Sequence, residues 1–146
     1  MSKAEKAIEF FETYNCAQSV LAAYAEDHDL EKDSALQAAV GFGGGMGRLQ
    51  ETCGAVSGAI IVLGLSSRFR EGDGRDKINA VYPKVQRFLN EFSKTYGTTK
   101  CRELLGCDLL SEEGQKFFKE NNLRENCRTY IRFCCELLDK YLAEAS

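Results

Sequence analysis

Residues 53–65 read CGAVSGAIIVLGL, thirteen consecutive residues without a charged side chain. A membrane-spanning helix needs about 20 apolar residues, so this stretch predicts a helix buried at the centre of a globular protein. Gly54 and Gly58 stand four residues apart and share one face of that helix. Small residues at this spacing allow a second helix to approach closely, or leave room for a cofactor. The stretch therefore favours an all-α fold built around a central apolar helix.

Apolar side chains recur at helical spacing on both sides of this stretch, and alternating β-branched runs are scarce. The only proline, Pro83, interrupts the longest of these patterns, so a kink or a break is expected there. Gly97 is expected to end the same helix. The chain is predicted to be a single domain, 1–146, that folds as a bundle of six to eight helices. The predicted helices cover about residues 4–13, 16–27, 33–40, 52–65, 75–96, 100–105, 111–121 and 126–143.

Composition and charge exclude several classes of function. The 146 residues are 44% hydrophobic and 28% charged, which is ordinary for a globular domain. The formal net charge is −3, and basic residues alternate with acidic ones, so a nucleic acid partner is not expected. The first residues lack the apolar core of a signal peptide. We therefore expect a cytoplasmic protein without membrane insertion.

Seven cysteines are the outstanding feature of the composition. A permanent disulfide framework is not expected in a reducing cytosol. Four of the cysteines follow a helix-capping residue within two positions, which places their sulfurs in the first turn of a helix. The predicted caps are Asn15, Thr52, Thr99 and Asn126. Free N–H groups and the helix dipole lie there, and both favour the thiolate over the thiol and lower the pKa. The four are candidate metal ligands, or catalytic residues if the chemistry is thiol–disulfide exchange: Cys16, Cys53, Cys101 and Cys127.

The remaining cysteines and the histidine carry weaker signals. Cys134 and Cys135 lie in the middle of a predicted helix and read as core residues. Cys107 follows Gly106 in a predicted loop, where it could be a resolving thiol, a fifth ligand or a buried loop residue. No Cys-x-x-Cys motif occurs. The only histidine, His28, lies between two aspartates in a polar turn, so a cysteine protease would lack a suitable base.

A glycine-rich segment, Gly41–Gly47, precedes the central helix. It fits neither the dinucleotide-binding nor the Walker spacing, and no strand is predicted before it, so a nucleotide site is not expected. Such a segment is typical of a backbone that passes close to another group or adopts positive φ. Its amides could hydrogen-bond a sulfur or a cluster. The candidate cofactor-binding backbone groups are those of Gly43, Gly44, Gly45 and Gly54.

The motif Cys53-Gly54-Ala55-x-x-Gly58 resembles the signature of the C_GCAxxG_C_C family of redox-active proteins. The resemblance covers nearly the whole chain and includes the glycine-rich segment and the stretch CRELLG at residues 101–106. It implies that the hallmark cysteines of the family correspond to Cys16, Cys53, Cys101 and Cys127. It also implies redox activity with a partner protein and association with a transporter system.

The same region is similar to part of the split-Soret cytochromes, in which an iron–sulfur centre accompanies haem. The chain has no Cys-x-x-Cys-His motif, so a covalent c-type haem is excluded. Four functions stay open at this point. They are an electron carrier with an iron–sulfur cluster, a cofactor-free thiol–disulfide oxidoreductase, a zinc or copper(I) module, and a helical interaction module with inert cysteines. Whether the protein is an enzyme is left undecided.

Overall fold

The computed structural model describes residues 1–144. The chain is all-α over this range, and the only strand-like pairing there is an isolated antiparallel bridge between Thr52 and Lys100. The fold class predicted from the sequence is confirmed. The eight helices within these residues are α1 (Lys3–Phe10), α2 (Cys16–Tyr24), α3 (Lys32–Ala39), α4 (Gly54–Ser66), α5 (Arg75–Tyr96), α6 (Cys101–Leu105), α7 (Glu112–Glu120) and α8 (Arg124–Glu144).

The core forms where α4 packs against α2. A Cβ atom added to Gly58 would lie 2.7 Å from the Ala17 carbonyl oxygen and 3.2 Å from Val20 Cβ. Residues 54–59 and 17–24 are buried, so both helices are central. The sequence pattern correctly predicts that the glycine face of α4 is a helix-packing face. In the second half of α4, Ile60 and Ile61 are half-buried, whereas Val62 and Leu63 are buried.

The long helix α5 joins this core through its C-terminal half. Phe88 and Phe92 are fully buried, and their rings pack edge-on against those of α8. The Phe92 ring lies 5.9 Å from Tyr130 and 5.7 Å from Phe133, and the Phe88 ring lies 5.6 Å from Tyr141. These contacts fix α8 along its length. Among residues 1–144, no helix is both long and apolar enough to cross a membrane.

The expected break at Pro83 is absent, because α5 runs without interruption from Arg75 to Tyr96. Proline has no N–H to donate to the carbonyl four residues earlier, here that of Asn79. Both residues are exposed, so water can satisfy that carbonyl and the helix continues. The predicted end is correct, since Gly97 adopts φ 85° directly after the last helical residue.

Side chains cap the backbone at two of the helix starts that the sequence predicts. Asn15 forms a capping box with Gln18 at the start of α2, and Ser111 accepts a hydrogen bond from Gly114 at the start of α7. The other predicted caps are wrong. Cys53 occupies the N-cap position of α4 in place of Thr52, and Lys100 is the N-cap of α6 in place of Thr99. Two further helices begin earlier than predicted. Helix α3 begins one residue before Asp33, and α8 begins two residues before Asn126.

The two glycines on the packed and open sides of α4 give the first testable prediction. We expect Gly58→Ala to lower the free energy of unfolding by about 1–3 kcal/mol, because the new methyl group meets the α2 backbone. Gly64→Ala, in the same helix with no atom within 4 Å of its added Cβ, should instead raise it by about 0.5–1 kcal/mol. Urea unfolding followed by far-UV circular dichroism measures both. Equal effects of the two substitutions would contradict the packing described.

Candidate functional site

Four cysteines line one cavity of about 600 Å³. Each comes from the start of a different helix. Cys16 is the first residue of α2, Cys53 is the N-cap of α4, Cys101 is the first residue of α6, and Cys127 lies at the end of the first turn of α8. The fold thus brings to a single cavity the four sulfurs that the sequence singled out, although 111 positions of the chain separate the first from the last.

Cys53 and Cys101 are held by a short antiparallel pairing of two loops. The Cys53 N–H donates to the Thr99 carbonyl at 2.8 Å, and the Cys101 N–H donates to the Glu51 carbonyl at 2.7 Å. The bridge between Thr52 and Lys100 lies between these two hydrogen bonds. The amides of both cysteines are therefore used to join α4 to α6. They are not free to stabilise a thiolate.

The Cys16 sulfur lies against the start of α4. A Cβ atom added to Gly54 would lie 2.3 Å from Cys16 Sγ, so any larger residue would displace the sulfur. Backbone N–H groups of Ala17, Gly44 and Gly54 hydrogen-bond to this sulfur. Through Gly44 the glycine-rich segment reaches the Cys16 sulfur, whereas its position in the sequence had suggested the sulfur of Cys53.

The four glycines predicted to bind a cofactor differ in position. Gly44 and Gly54 line the cavity. Gly43 instead packs on the Asn15 side chain, where an added Cβ would lie 2.3 Å from Asn15 Cγ. Gly45 lies outside the cavity lining and packs against Cys101, because a Cβ atom added to Gly45 would lie 2.9 Å from Cys101 Cβ. Gly43 and Gly45 therefore position cysteine-bearing segments and do not face the cavity.

The glycine-rich segment forms a left-handed turn. Five consecutive residues, 44–48, have φ between 61° and 68°, and the Gly47 N–H donates to the Gly43 carbonyl at 2.9 Å. For residues with a side chain, this backbone costs about 1–2 kcal/mol each. Met46 and Arg48 bear that cost here. Positive φ was predicted for this segment, but its continuation through two non-glycine residues was not.

The thiols of the cavity are protonated at neutral pH. Burial, together with the nearby Cys16, raises the pKa of Cys101 to about 11 and that of Cys127 to about 12. Burial also raises the pKa of Cys16 and of Cys53. The predicted lowering of these pKa values at helix N-termini is therefore wrong. The amides that reach Cys16 do lower its pKa, but loss of hydration has the larger effect.

All seven cysteines are free thiols in this structure. Among residues 1–144, no three His, Cys, Asp or Glu side chains are arranged so that they could hold a metal ion between them. Four thiols are nevertheless a donor set that suits iron–sulfur clusters, zinc and copper(I).

The remaining cysteines lie outside the cavity wall. Cys134 and Cys135 are fully buried in the core, as predicted, and the Cys135 carbonyl accepts a hydrogen bond from the Tyr24 hydroxyl at 2.8 Å. Cys107 is buried in a small apolar cluster with Cys101 and Leu105.

His28 is half-buried and lines a different cavity, of about 540 Å³, together with Arg68 and Tyr82. That cavity contains none of the cysteines. The histidine therefore has no part in the sulfur site, as the sequence indicated.

Gln50 is a site residue that the sequence did not reveal. Its side chain is 3% exposed, and its amide bridges the loop after α6, donating to the Cys107 carbonyl and accepting from the Leu109 N–H, both at 2.9 Å. Burial raises the pKa of Cys101, and a hydrogen bond with the Gln50 side chain offsets part of that rise. Two arginines in the cavity wall, Arg48 and Arg124, were missed as well. A single polar residue between glycines and a helix gives no pattern by which it could be recognised.

The raised pKa values predict slow alkylation of the cavity thiols. At pH 7.5 iodoacetamide should label Cys101 and Cys127 far more slowly than it labels them in the urea-unfolded chain, because the thiolate is the nucleophile. The rate should rise about tenfold per pH unit and level off near pH 11 for Cys101 and near pH 12 for Cys127. Mass spectrometry of tryptic peptides measures each site. A plateau near pH 8.5 would contradict the burial of these thiols.

Comparison with known proteins gives two matches. Residues 14–141 match the protein family described as "Putative redox-active protein (C_GCAxxG_C_C)". An uncharacterized protein of Archaeoglobus fulgidus is 32% identical over 129 residues, which cover 80% of this chain and 85% of the relative. No solved structure matches the chain.

Proposed function

We propose that this chain, which belongs to the C_GCAxxG_C_C family of redox-active proteins, holds an iron–sulfur cluster on Cys16, Cys53, Cys101 and Cys127 and transfers electrons to a partner protein. The observation that carries the proposal is the single cavity lined by all four sulfurs. The membership of the family supports redox chemistry. The cluster and the ligand set are our own inference.

We favour a cluster over a single metal ion because four cysteines from four different helices line one cavity. One zinc or copper(I) ion draws its thiolates to a common centre at about 2.3 Å, and no three candidate side chains of residues 1–144 are placed for this. In a cluster the cysteines can bind different irons, so their sulfurs stay farther apart around the cofactor. Sulfurs distributed around the wall of a cavity suit the second arrangement.

The protonation of the thiols supports a cofactor over free thiol–disulfide exchange. Attack on a disulfide needs a thiolate, and burial raises the pKa of all four cavity thiols. Cofactor-free, these thiols would be slow nucleophiles at neutral pH. Iron replaces the thiol proton on binding, so a raised pKa does not prevent ligation.

An iron–sulfur cluster would supply one-electron transfer at this site. The residues around it would set its environment. The N–H groups that hydrogen-bond to the Cys16 sulfur, from Ala17, Gly44 and Gly54, would stabilise the additional negative charge of the reduced state and raise the potential. Apolar side chains of α6 and α8, Leu104 and Tyr130, would exclude water from one side.

Replacement of the cysteines tests this proposal. Wild-type protein is reconstituted anaerobically with ferrous iron and sulfide, and we expect visible charge-transfer absorption and an electron paramagnetic resonance signal after reduction. Each of the serine variants of the four cavity cysteines should lose most of the bound iron and sulfide, because one ligand is missing. Cys107→Ser and Cys135→Ser are matched controls outside the cavity wall and should retain them.

Three results would contradict the cluster. A colourless protein whose cavity cysteines oxidise reversibly in pairs, as shown by peptide mapping, would support the thiol–disulfide oxidoreductase instead. Stoichiometric zinc or copper in the purified protein, with no sulfide, would support a metal-binding module. Equal iron content in the wild type and in the four serine variants would show that the bound iron is adventitious.

Gly54→Ala gives a second test that leaves all sulfurs in the chain. The added methyl group would overlap Cys16 Sγ, so we expect iron and sulfide incorporation to fall as it does in Cys16→Ser. Gly64→Ala in the same helix is the control, because open space surrounds that position. Far-UV circular dichroism checks that both variants fold. If folded Gly54→Ala incorporated as much iron and sulfide as wild type, the position of the Cys16 sulfur would not be required for cluster binding.

A further inference from the structure

The cavity lined by the four cysteines, here called the sulfur cavity, is also lined by residues of other kinds. Its volume, about 600 Å³, lies within the range of 300–1,000 Å³ that is usual for small-molecule sites. Much of the remaining wall is apolar. The apolar side chains come from the end of α1, from α6 and from the segment that leads into and through α7, and they are Phe11, Leu104, Leu105, Leu109 and Phe118.

Two arginines add positive charge to this wall, and neither has a carboxylate partner within residues 1–144. The guanidinium of Arg124 stacks on the Phe11 ring, 4.1 Å from its centroid, and donates one hydrogen bond to the Phe11 carbonyl. The other N–H groups of Arg124 have no protein acceptor in this part of the chain. Arg124 is half-buried, where a charge without a counter-ion is less well hydrated than at the surface.

Arg48, which is exposed, adds a second cation to the cavity wall. It lies in the left-handed turn at φ 68°, and its side chain runs along Gly44, as shown by Arg48 Cγ at 2.9 Å from a Cβ built there. Strained backbone of this kind is retained mainly at functional sites. Here the conformation places a cation beside the cavity, on the same turn that reaches the Cys16 sulfur.

The acidic residue of the wall does not cancel this charge. Glu12 lines the cavity but pairs with Arg128 at 3.3 Å, and Arg128 also pairs with Glu125. The free ionic groups of the wall are thus two cations, and its neutral groups are largely apolar. Such a lining complements a molecule with an apolar body and one anionic group.

We propose that this cavity binds a small amphipathic organic anion, with its anionic group between Arg124 and Arg48 and its apolar body against Phe11, Leu109 and Phe118. The bound molecule lies next to the cysteine sulfurs. Binding does not depend on the nature of the redox centre. Only the position of the anion beside a redox centre rests on the proposed function.

A pair of fluorescent probes tests the proposal. 8-Anilinonaphthalene-1-sulfonate carries an apolar body and an anionic group, and N-phenyl-1-naphthylamine is the same body without the charge. The protein has no tryptophan, which simplifies the measurement. At fixed ionic strength we expect the wild-type chain to bind one sulfonate probe. Arg124→Gln and Arg48→Gln should each lower the affinity for this probe about tenfold. The neutral probe should bind both variants like wild type.

Controls separate the site from general effects of charge and folding. Arg132→Gln removes an exposed arginine of α8 that is not in the cavity wall, and it should leave both affinities unchanged. Unchanged near-UV circular dichroism and unfolding midpoints show that the variants are folded. Displacement of the probe by hexanoate and by hexyl phosphate identifies the preferred head group, with hexanol as the neutral control.

The outcomes decide between the ligand site and other roles of the arginines. Equal sulfonate affinity in wild type, Arg124→Gln and Arg48→Gln would overturn the proposal, as would many probes bound per chain. The measurement is repeated on protein reconstituted with iron and sulfide. Binding that persists supports a ligand beside the redox centre, whereas complete loss would show that the arginines serve only as counter-charges to that centre. Failure of reconstitution contradicts the proposed function and leaves the binding test valid.

Discussion

The close approach of α2 and α4 is the constraint on which the site depends. Gly58 has no side chain, so the α2 backbone at Ala17 comes within contact distance of α4. One turn earlier, the absence of a side chain at Gly54 leaves the space that the Cys16 sulfur occupies. The same glycine face therefore packs against α2 at Gly58 and leaves space for the Cys16 sulfur at Gly54. A larger residue at Gly58 would disturb the packing of the two helices, whereas a larger residue at Gly54 would displace the Cys16 sulfur.

The other segments of the site are attached to this pair of helices by hydrogen bonds of the backbone. The pairing of residues 50–53 with 99–102 fixes Cys53 relative to Cys101, and the buried amide of Gln50 holds the loop after α6. The left-handed turn closes the space between them, since Gly45 packs against Cys101. Strain at Met46 and Arg48 persists because hydrogen bonds on both sides over-determine the turn.

Local features of the site were predictable from the sequence, whereas its tertiary properties were not. Capping by Asn15 and termination at Gly97 depend on a few neighbouring residues, and both were found. The four cavity cysteines were selected by their proximity to helix starts, although Cys127 lies in a helix that begins earlier than expected. The pKa direction was wrong because burial depends on residues that are distant in sequence. Arg124 has no distinguishing pattern until α1 packs beside it.

Burial favours the neutral thiol, whereas the donors at the helix N-termini favour the thiolate. The two effects therefore act on different protonation states of the same sulfurs. In the cofactor-free chain, burial keeps the thiols neutral, so four of them can share a cavity without mutual repulsion and the fold is not opposed by charge. Donors such as the Gly44 N–H contribute little to a neutral thiol. In the proposed cluster-bound state, iron would replace the proton and the sulfur would become a thiolate, so these hydrogen bonds would strengthen. Under that proposal, the helix starts that were expected to activate free thiols would stabilise Cys16 as a ligand.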